Sequence, residues 1–333
     1  MQMETKNNLQ NNQEKIYVAP MLDWTDRHCR FFHRLLSPNA VLYTEMITSG
    51  AILYGDVDRH LAYNQEEHPL VLQLGGSEPA ELEKCAIIAR NYNYDEINLN
   101  CGCPSERVQK GAFGACLMRE AKLVAQCFTA MSQSRLPVSI KHRIGIDSIE
   151  DYEFLRDFVA ELYDAGCRKF IVHARNAILK GLSPKQNRDI PPLKYDYVYR
   201  LKQEFPQAHI TINGGIDSLE AVSEHLTKVD AVMLGRSAYH NPYILNQIDN
   251  LIFDTKLDDK ENIIQKLCEY SIIQFEKGCY LGSITKHILG LYHGQKNSRL
   301  WRQHLSNHIL LKNIQNRNDI IDFFNQGNNL LLA

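Results

Sequence analysis

The chain has 333 residues, 44% hydrophobic and 23% charged, with a mean hydropathy of -0.34. That excludes a disordered, collagen-like or membrane-spanning polypeptide and leaves room for a barrel-sized domain with an appendage. Lys and Arg number 37 against 39 Asp and Glu, so the net charge is -2 and the pI near 6.7, and charge alone gives no sign of a polyanionic partner.

Residues 1–14 are polar and Asn/Gln-rich, lack the apolar stretch of a signal peptide, and read as a flexible tail. Short apolar runs then alternate with longer amphipathic stretches. The runs are Tyr17–Pro20, Val41–Thr44, Leu70–Leu74, Ile97–Leu99, Val138–Lys141, Phe170–His173, His209–Ile212 and Ala231–Leu234. Between them, Pro79–Asn91, Glu120–Gln133 and Ile149–Ala165 carry helical periodicity. Eight strand-plus-crossover units predict an α/β fold, a (β/α)8 TIM barrel over residues 15–250. A doubly wound open sheet is the alternative, but Pro20-Met21-Leu22-Asp23 stands where its glycine-rich turn would be. Past Pro242 strand-like runs cease, and Ile263–Lys277, Ile284–Tyr292 and Trp301–Leu311 predict a smaller C-terminal helical domain over residues 251–333. The nine cysteines are odd in number and follow no framework spacing, which points to free thiols and a cytoplasmic protein.

Polar residues close the runs: Glu45, Gln73, Asn98 and Asn100, Lys141 and Arg143, His173 and Arg175, Asn213, Arg236. Each alone could simply begin a loop, but in a barrel these ends converge on one mouth, where such enzymes keep their sites. Asn213-Gly214-Gly215 and Gly235-Arg236, after the last two runs, suit a phosphate group, because glycines let backbone N–H groups approach its oxygens and arginine pairs with its charge. Lys141 and Gln73 could address the polar edge of a reduced flavin.

The segment from Asn98 to Val108 is the most informative in the chain. A Gly-Cys-Pro turn beyond a strand places Cys103 over the mouth, and a cysteine of ordinary acidity, with a pKa of about 8.5, is mostly a thiol at neutral pH and able to donate a proton. A zinc reading of Cys101-x-Cys103 lacks further ligands at suitable spacing, and no metal site is expected. Cys101 reads as a small buried residue.

Together, Pro20-Met21, Gln73, Asn100-x-Gly102-Cys103-Pro104, Lys141-x-Arg143, His173-x-Arg175, Asn213-Gly214-Gly215 and Gly235-Arg236 resemble the flavin-dependent tRNA-dihydrouridine synthases. The likeness runs from about Tyr17 into the C-terminal helices. Cys103 to Gln109, Gly114 to Met118 and Gly181 to Arg188 resemble the A subfamily, which acts on D-loop uridines 20 and 20a. The resemblance implies FMN, reduced by NADPH, in the barrel. It implies reduction of the uridine C5=C6 bond, with hydride reaching C6 from flavin N5 and a proton reaching C5 from Cys103. Pro20, Met21, Leu22, Gln73, Lys141, His173, Asn213, Gly214, Gly215, Gly235 and Arg236 would then bind FMN. Asn100, Arg143, Ser183, Lys185, Gln186 and Arg188 would face the uridine or its tRNA. A monomer is expected, with no DNA or membrane partner.

Residues 261–333 hold eight basic and five acidic side chains, a net of +3 that leaves -5 for residues 1–260. Arg299 and Arg302 fall on one helical face. On charge alone that is a solvated surface, whereas the resemblance assigns the pair to tRNA. A reductase for a free pyrimidine or enone, and a phosphate-binding barrel lyase without redox chemistry, are the competing readings.

Overall fold

A computed structural model describes residues 14–332. Apart from Glu14, the proposed N-terminal tail lies outside those residues. Nine strands run in chain order: β1 (Ile16–Val18), β2 (Leu42–Tyr43), β3 (Ile47–Thr48), β4 (Leu70–Gly75), β5 (Glu96–Cys101), β6 (Val138–Arg143), β7 (Lys169–His173), β8 (His209–Asn213) and β9 (Ala231–Leu234). All pairings between them are parallel, in the order β1-β9-β8-β7-β6-β5-β4-β2. The ring closes between β1 and Val41, where Val18 N donates to Val41 O (3.0 Å) and Val41 N donates to Ile16 O (2.9 Å). The eight apolar runs are the eight strands of this TIM barrel. The two-residue β3 was not anticipated: it has no apolar run of its own and exists by pairing Ile47 with Leu74 and Thr48 with Gly75.

Strand alternation sorts the side chains between two environments. On β5, Ile97, Leu99 and Cys101 join the large core beneath the surrounding helices, leaving Glu96, Asn98 and Asn100 for the barrel interior. A second, inner apolar cluster holds Tyr17, Tyr43, Val71, Ile171 and Met233. Polar inward residues at the base satisfy one another: Lys169 Nζ reaches Glu14 and Glu96 at 2.6 Å each, and Tyr17 OH donates to Glu14 (2.8 Å). Burying these charges is tolerable because each is paired. The remaining inward positions, nearer the C-terminal strand ends, face the mouth.

The crossover helices include α1 (Arg27–Leu36), α2 (Pro79–Asn91), α3 (Ala121–Ser132) and α4 (Tyr152–Asp164). The last three match the periodic stretches to within three residues, and Asp151 caps α4 by accepting from Phe154 N (2.8 Å). After α5 (Tyr195–Glu204), α6 (Leu219–Leu226) and α7 (Tyr243–Phe253), the chain is helical: α8 (Lys260–Glu276), α9 (Ser298–Leu305) and α10 (Arg317–Leu332), with shorter turns between. The helix expected over Ile284–Tyr292 is instead a run of tight turns after Gly282–Thr285, with Leu291 N bonded to Ile288 O (3.1 Å) and His293 N to Gly290 O (2.9 Å). The stretch Trp301–Leu311 breaks at Asn307, whose side chain accepts from Ile309 N and Leu310 N and starts a new helical turn.

These helices share the large core with the barrel. Phe31 of α1 stacks on Tyr270 of α8 with ring centroids 3.8 Å apart, and Asp26, the cap of α1, accepts from buried His287 (2.9 Å). Trp301 is fully buried against Tyr292. Among the described residues no helix is long and apolar enough to cross a membrane.

Gly290 lies at the seam between barrel and tail. A Cβ there would come within 2.5 Å of His240 O and 2.8 Å of Pro242 Cδ. Gly290→Ala is therefore expected to destabilise the protein by about 1–3 kcal/mol, read as a lower urea midpoint, and an unchanged midpoint would refute this close docking.

Candidate active site

A cavity of about 1120 Å³ opens at the C-terminal ends of the strands. It slightly exceeds the roughly 300–1,000 Å³ of common small-ligand sites, enough for a cofactor and a reacting ring together. Five inward strand-end residues build its floor by register alone: Asn100 lies beside Lys141, Arg143 beside His173, and His173 beside Asn213. Gln73 enters from β4, one position past the row that pairs with β5 Ile97.

These side chains are mutually fixed. Asn100 Nδ2 donates to Gln73 Oε1 (2.9 Å), and Gln73 Nε2 donates to Asn98 Oδ1 (2.7 Å), which leaves Gln73 no freedom to flip. Lys141 Nζ donates to Asn213 Oδ1 (3.1 Å), and Asn213 Nδ2 to Met233 O (2.7 Å). Asn100 Oδ1 accepts from both Gly102 N (3.1 Å) and Cys103 N (2.9 Å), closing the turn that carries Cys103 to the cavity wall. Cys101, at the end of β5, points into the helix core and is fully buried.

The opposite wall is built around glycines. Gly214 and Gly215 have φ of +113° and +71°, and a Cβ on Gly214 would sit 2.7 Å from the His173 ring. Side chains there would clash with His173, Leu193 and Tyr195 and strain the turn. Tyr195 OH donates to Gly214 O (2.7 Å) and holds the turn. Gly235 faces open space, with Ala19 Cβ the nearest atom at 3.9 Å. Pro20, Met21 and Leu22 line the rim after β1, Thr25 accepting from Met21 N (2.9 Å), and Leu22 is 67% exposed.

Positive charge concentrates on this side. Lys141, Arg143, Arg188 and Arg236 all line the cavity, with Arg236 paired to Asp189 at 2.7 Å. Burial, with repulsion from Arg143, pulls the Lys141 ammonium from its ordinary 10.5 to about 7. Burial draws Arg143 down to about 10, with Arg188 and Arg175 acting in the same direction. Burial and the same cations hold His173 neutral, well below the usual histidine range. Arg188 Nε is buried without a protein partner. An anion entering here would relieve the repulsion.

Not every expected residue reaches the cavity. Arg143 lines it, yet its guanidinium is occupied by carbonyls of Gly102 (3.2 Å), Asn176 (3.1 Å) and Asn187 (2.9 Å). Ser183, Lys185 and Gln186 are exposed on the loop after β7, where Ser183 N donates to Gln186 Oε1 (2.9 Å), and they do not line the cavity. Arg299 and Arg302 are exposed on α9, while Trp301 and His304 of the same helix face inward. The rim also includes Arg107 and His293, along with Trp24, Arg59, His60 and His240, which sequence reasoning had not singled out. Trp24 stacks on Tyr239 at 4.3 Å, a pairing across more than two hundred residues that no local pattern signals.

Residues 17–326 match the family described as Dihydrouridine synthase (Dus). The chain belongs to the dihydrouridine synthase family. Relatives named tRNA-dihydrouridine(20/20a) synthase include one from Vibrio parahaemolyticus, 54% identical over 88% of this chain and 90% of its own length. Others come from Shewanella oneidensis (53% identical, covering 90% of this chain and 91% of that protein) and Salmonella typhi (55% identical, covering 87% and 88%). An old yellow enzyme homologue from Zymomonas mobilis superposes with a TM-score of 0.52 at 11% identity, over 74% of this chain and 91% of that one, a likeness of fold.

This dihydrouridine synthase family member is an oxidoreductase, and membership implies a flavin. The cavity fits one: Gly235 opens onto free space that a Cβ would enter, cations converge with an unpartnered Arg188 Nε, and Gln73 offers a fixed amide to the polar edge of a planar ring.

Because the folded protein holds Lys141 near 7 against 10.5 when unfolded, the unfolded chain binds more protons between those values and stability rises with pH across that window. Lys141→Met removes the penalty. With flavin removed, the variant should gain about 1–3 kcal/mol more over wild type at pH 7 than at pH 9.5 in urea unfolding; equal gains at both would contradict the depressed lysine.

Proposed function

We propose that this protein is a tRNA-dihydrouridine(20/20a) synthase that holds FMN in the barrel, takes electrons from NADPH and reduces the C5=C6 bond of D-loop uridines, acting in the cytoplasm as a monomer. The observation that carries the reading is the seat of Cys103: a half-buried thiol on the wall of a flavin-sized, cation-rich cavity, in a chain more than half identical to relatives of that name. Pro20, Met21, Leu22, Gln73, Lys141 and His173 would hold the flavin ring and chain, and Asn213, Gly214, Gly215, Gly235 and Arg236 its phosphate. When bound and reduced, a flavin supplies hydride to a double bond conjugated to a carbonyl.

The chain's own residues do the rest. Hydride at C6 leaves an enolate across C5 and O4, and the Cys103 thiol is placed to give its proton to C5. Asn100 holds that thiol's backbone and faces the target uridine from the floor of the cavity. A stacked uridine cannot reach this depth, so it must be extruded into the mouth, and its unstacking is offset by contacts around the ring. Exposed basic residues on the surrounding loops, Arg59, Arg107, Lys110, Lys180 and Lys185, with Arg188 within, suit the phosphates that come with it. Arg299 and Arg302, exposed on α9, would add phosphate contacts from the basic tail.

Cys103→Ala should lower dihydrouridine formation in unmodified tRNA by about 10²- to 10⁴-fold while NADPH still bleaches the flavin at the wild-type rate. Wild-type protein should act on tRNA and not on free uridine. Product from the variant at the wild-type rate would remove Cys103 as the acid, and equal turnover of free uridine would favour a small-pyrimidine reductase.

A further inference from the structure

The carbonyls on both sides of Cys103 are held by side chains that also hold the loop after β7. Before it, Gly102 O accepts from Arg143, which donates as well to Asn176 O and Asn187 O. After it, Pro104 O accepts from Gln109 Nε2 (2.8 Å), and the same nitrogen donates to Leu179 O (3.0 Å). Cys103 itself is fixed through its N–H, to Asn100 Oδ1, and its carbonyl, which accepts from Ala115 N (2.9 Å). The β7 loop is in turn a closed knot around fully buried Asn187, whose Oδ1 accepts from Ile178 N (2.7 Å) while Nδ2 donates to Ile178 O (2.8 Å) and Leu182 O (3.2 Å). That knot presents Ser183, Lys185 and Gln186 to solvent beside the mouth.

We propose that Gln109 is a positioning residue for the reaction: its single amide nitrogen locks the segment bearing the proton donor to the loop after β7, so that RNA seated on that loop and the thiol that must reach C5 are held as one rigid body. Gln109 is half-buried and does not line the cavity, so it acts through Pro104 and Leu179 and touches neither flavin nor uridine. Both contacts run from a donor to carbonyls, so what the position needs is two N–H bonds at that reach. Leucine supplies none, a carboxylate would oppose two carbonyl oxygens, and a lysine ammonium, with three donors, can keep both. The inference rests on Cys103 being the acid.

The test uses the flavin-loaded, full-length protein carrying Gln109→Leu, Gln109→Glu or Gln109→Lys, with two readouts. One is the rate at which iodoacetamide alkylates Cys103, followed by mass spectrometry without RNA or NADPH. The other is single-turnover dihydrouridine formation at saturating tRNA. Gln109→Leu and Gln109→Glu should alkylate several-fold faster and turn over about 10- to 100-fold more slowly, as expected of a misplaced reacting group. The half-saturating tRNA concentration and the rate of flavin bleaching should stay within about twofold of wild type, a smaller change than a lost contact to RNA or flavin would give. Gln109→Lys should return both readouts toward wild type. Unchanged alkylation and turnover in Gln109→Leu, or failure of Gln109→Lys to restore what Gln109→Leu loses, would overturn the proposal. Wild-type protein that makes no dihydrouridine while the alkylation order still holds would instead refute the assigned activity and leave the clamp standing.

Discussion

One side chain carries more of the site than any other. Asn100 spends its oxygen on two backbone amides, Gly102 N and Cys103 N, and its nitrogen on Gln73 Oε1. The first pair bends the chain out of β5 into the turn that exposes the thiol. The second ties that turn to Gln73, so the Cys103 thiol and the amide facing the cavity share a single rigid reference. An amide does this because it is donor and acceptor at once; a carboxylate of the same shape would meet Gln73 Oε1 with an oxygen.

The barrel makes that linkage possible by sorting polarity along its axis. Inward positions near the base spend their charges on one another, Lys169 against Glu14 and Glu96. Inward positions at the top, Lys141, Arg143 and His173, are left with neutral partners and with each other. Burial first, and that imbalance of charge after it, depresses Lys141 and Arg143 and keeps His173 neutral. A cofactor bearing a phosphate and a polar ring edge would supply the missing negative charge. The near-neutral net charge of the chain hides this arrangement, since it averages a paired base, a cationic mouth and a basic tail.

Most of the barrel could be read from sequence because a buried parallel strand is a contiguous apolar run, and its polar C-terminal residue is conspicuous. Gln73, Asn100, Lys141, His173 and Asn213 all stood out this way and all line one cavity. What escaped notice depends on contacts between distant segments. β3 is two residues that become a strand only against Leu74 and Gly75. The turns from Lys286 to His293 bring Gly290 against His240 and Pro242, a contact no local pattern signals. Asn307 breaks a helix that periodicity alone would continue, although its capping side chain was a visible local signal. The tie from Arg143 and Gln109 to the loop after β7 was invisible for the same reason: the carbonyls of Asn176 and Leu179 that they reach lie 33 and 70 residues away.

We propose that this cavity, with Cys103 on its wall, reduces particular uridines within folded tRNA. Incubating the purified, NADPH-reduced protein with unmodified tRNA and mapping dihydrouridine at single-nucleotide resolution tests it most directly. New dihydrouridine is expected at D-loop positions 20 and 20a and at no other uridine. Unmodified RNA after complete oxidation of the flavin, or dihydrouridine placed elsewhere in the molecule, would contradict it.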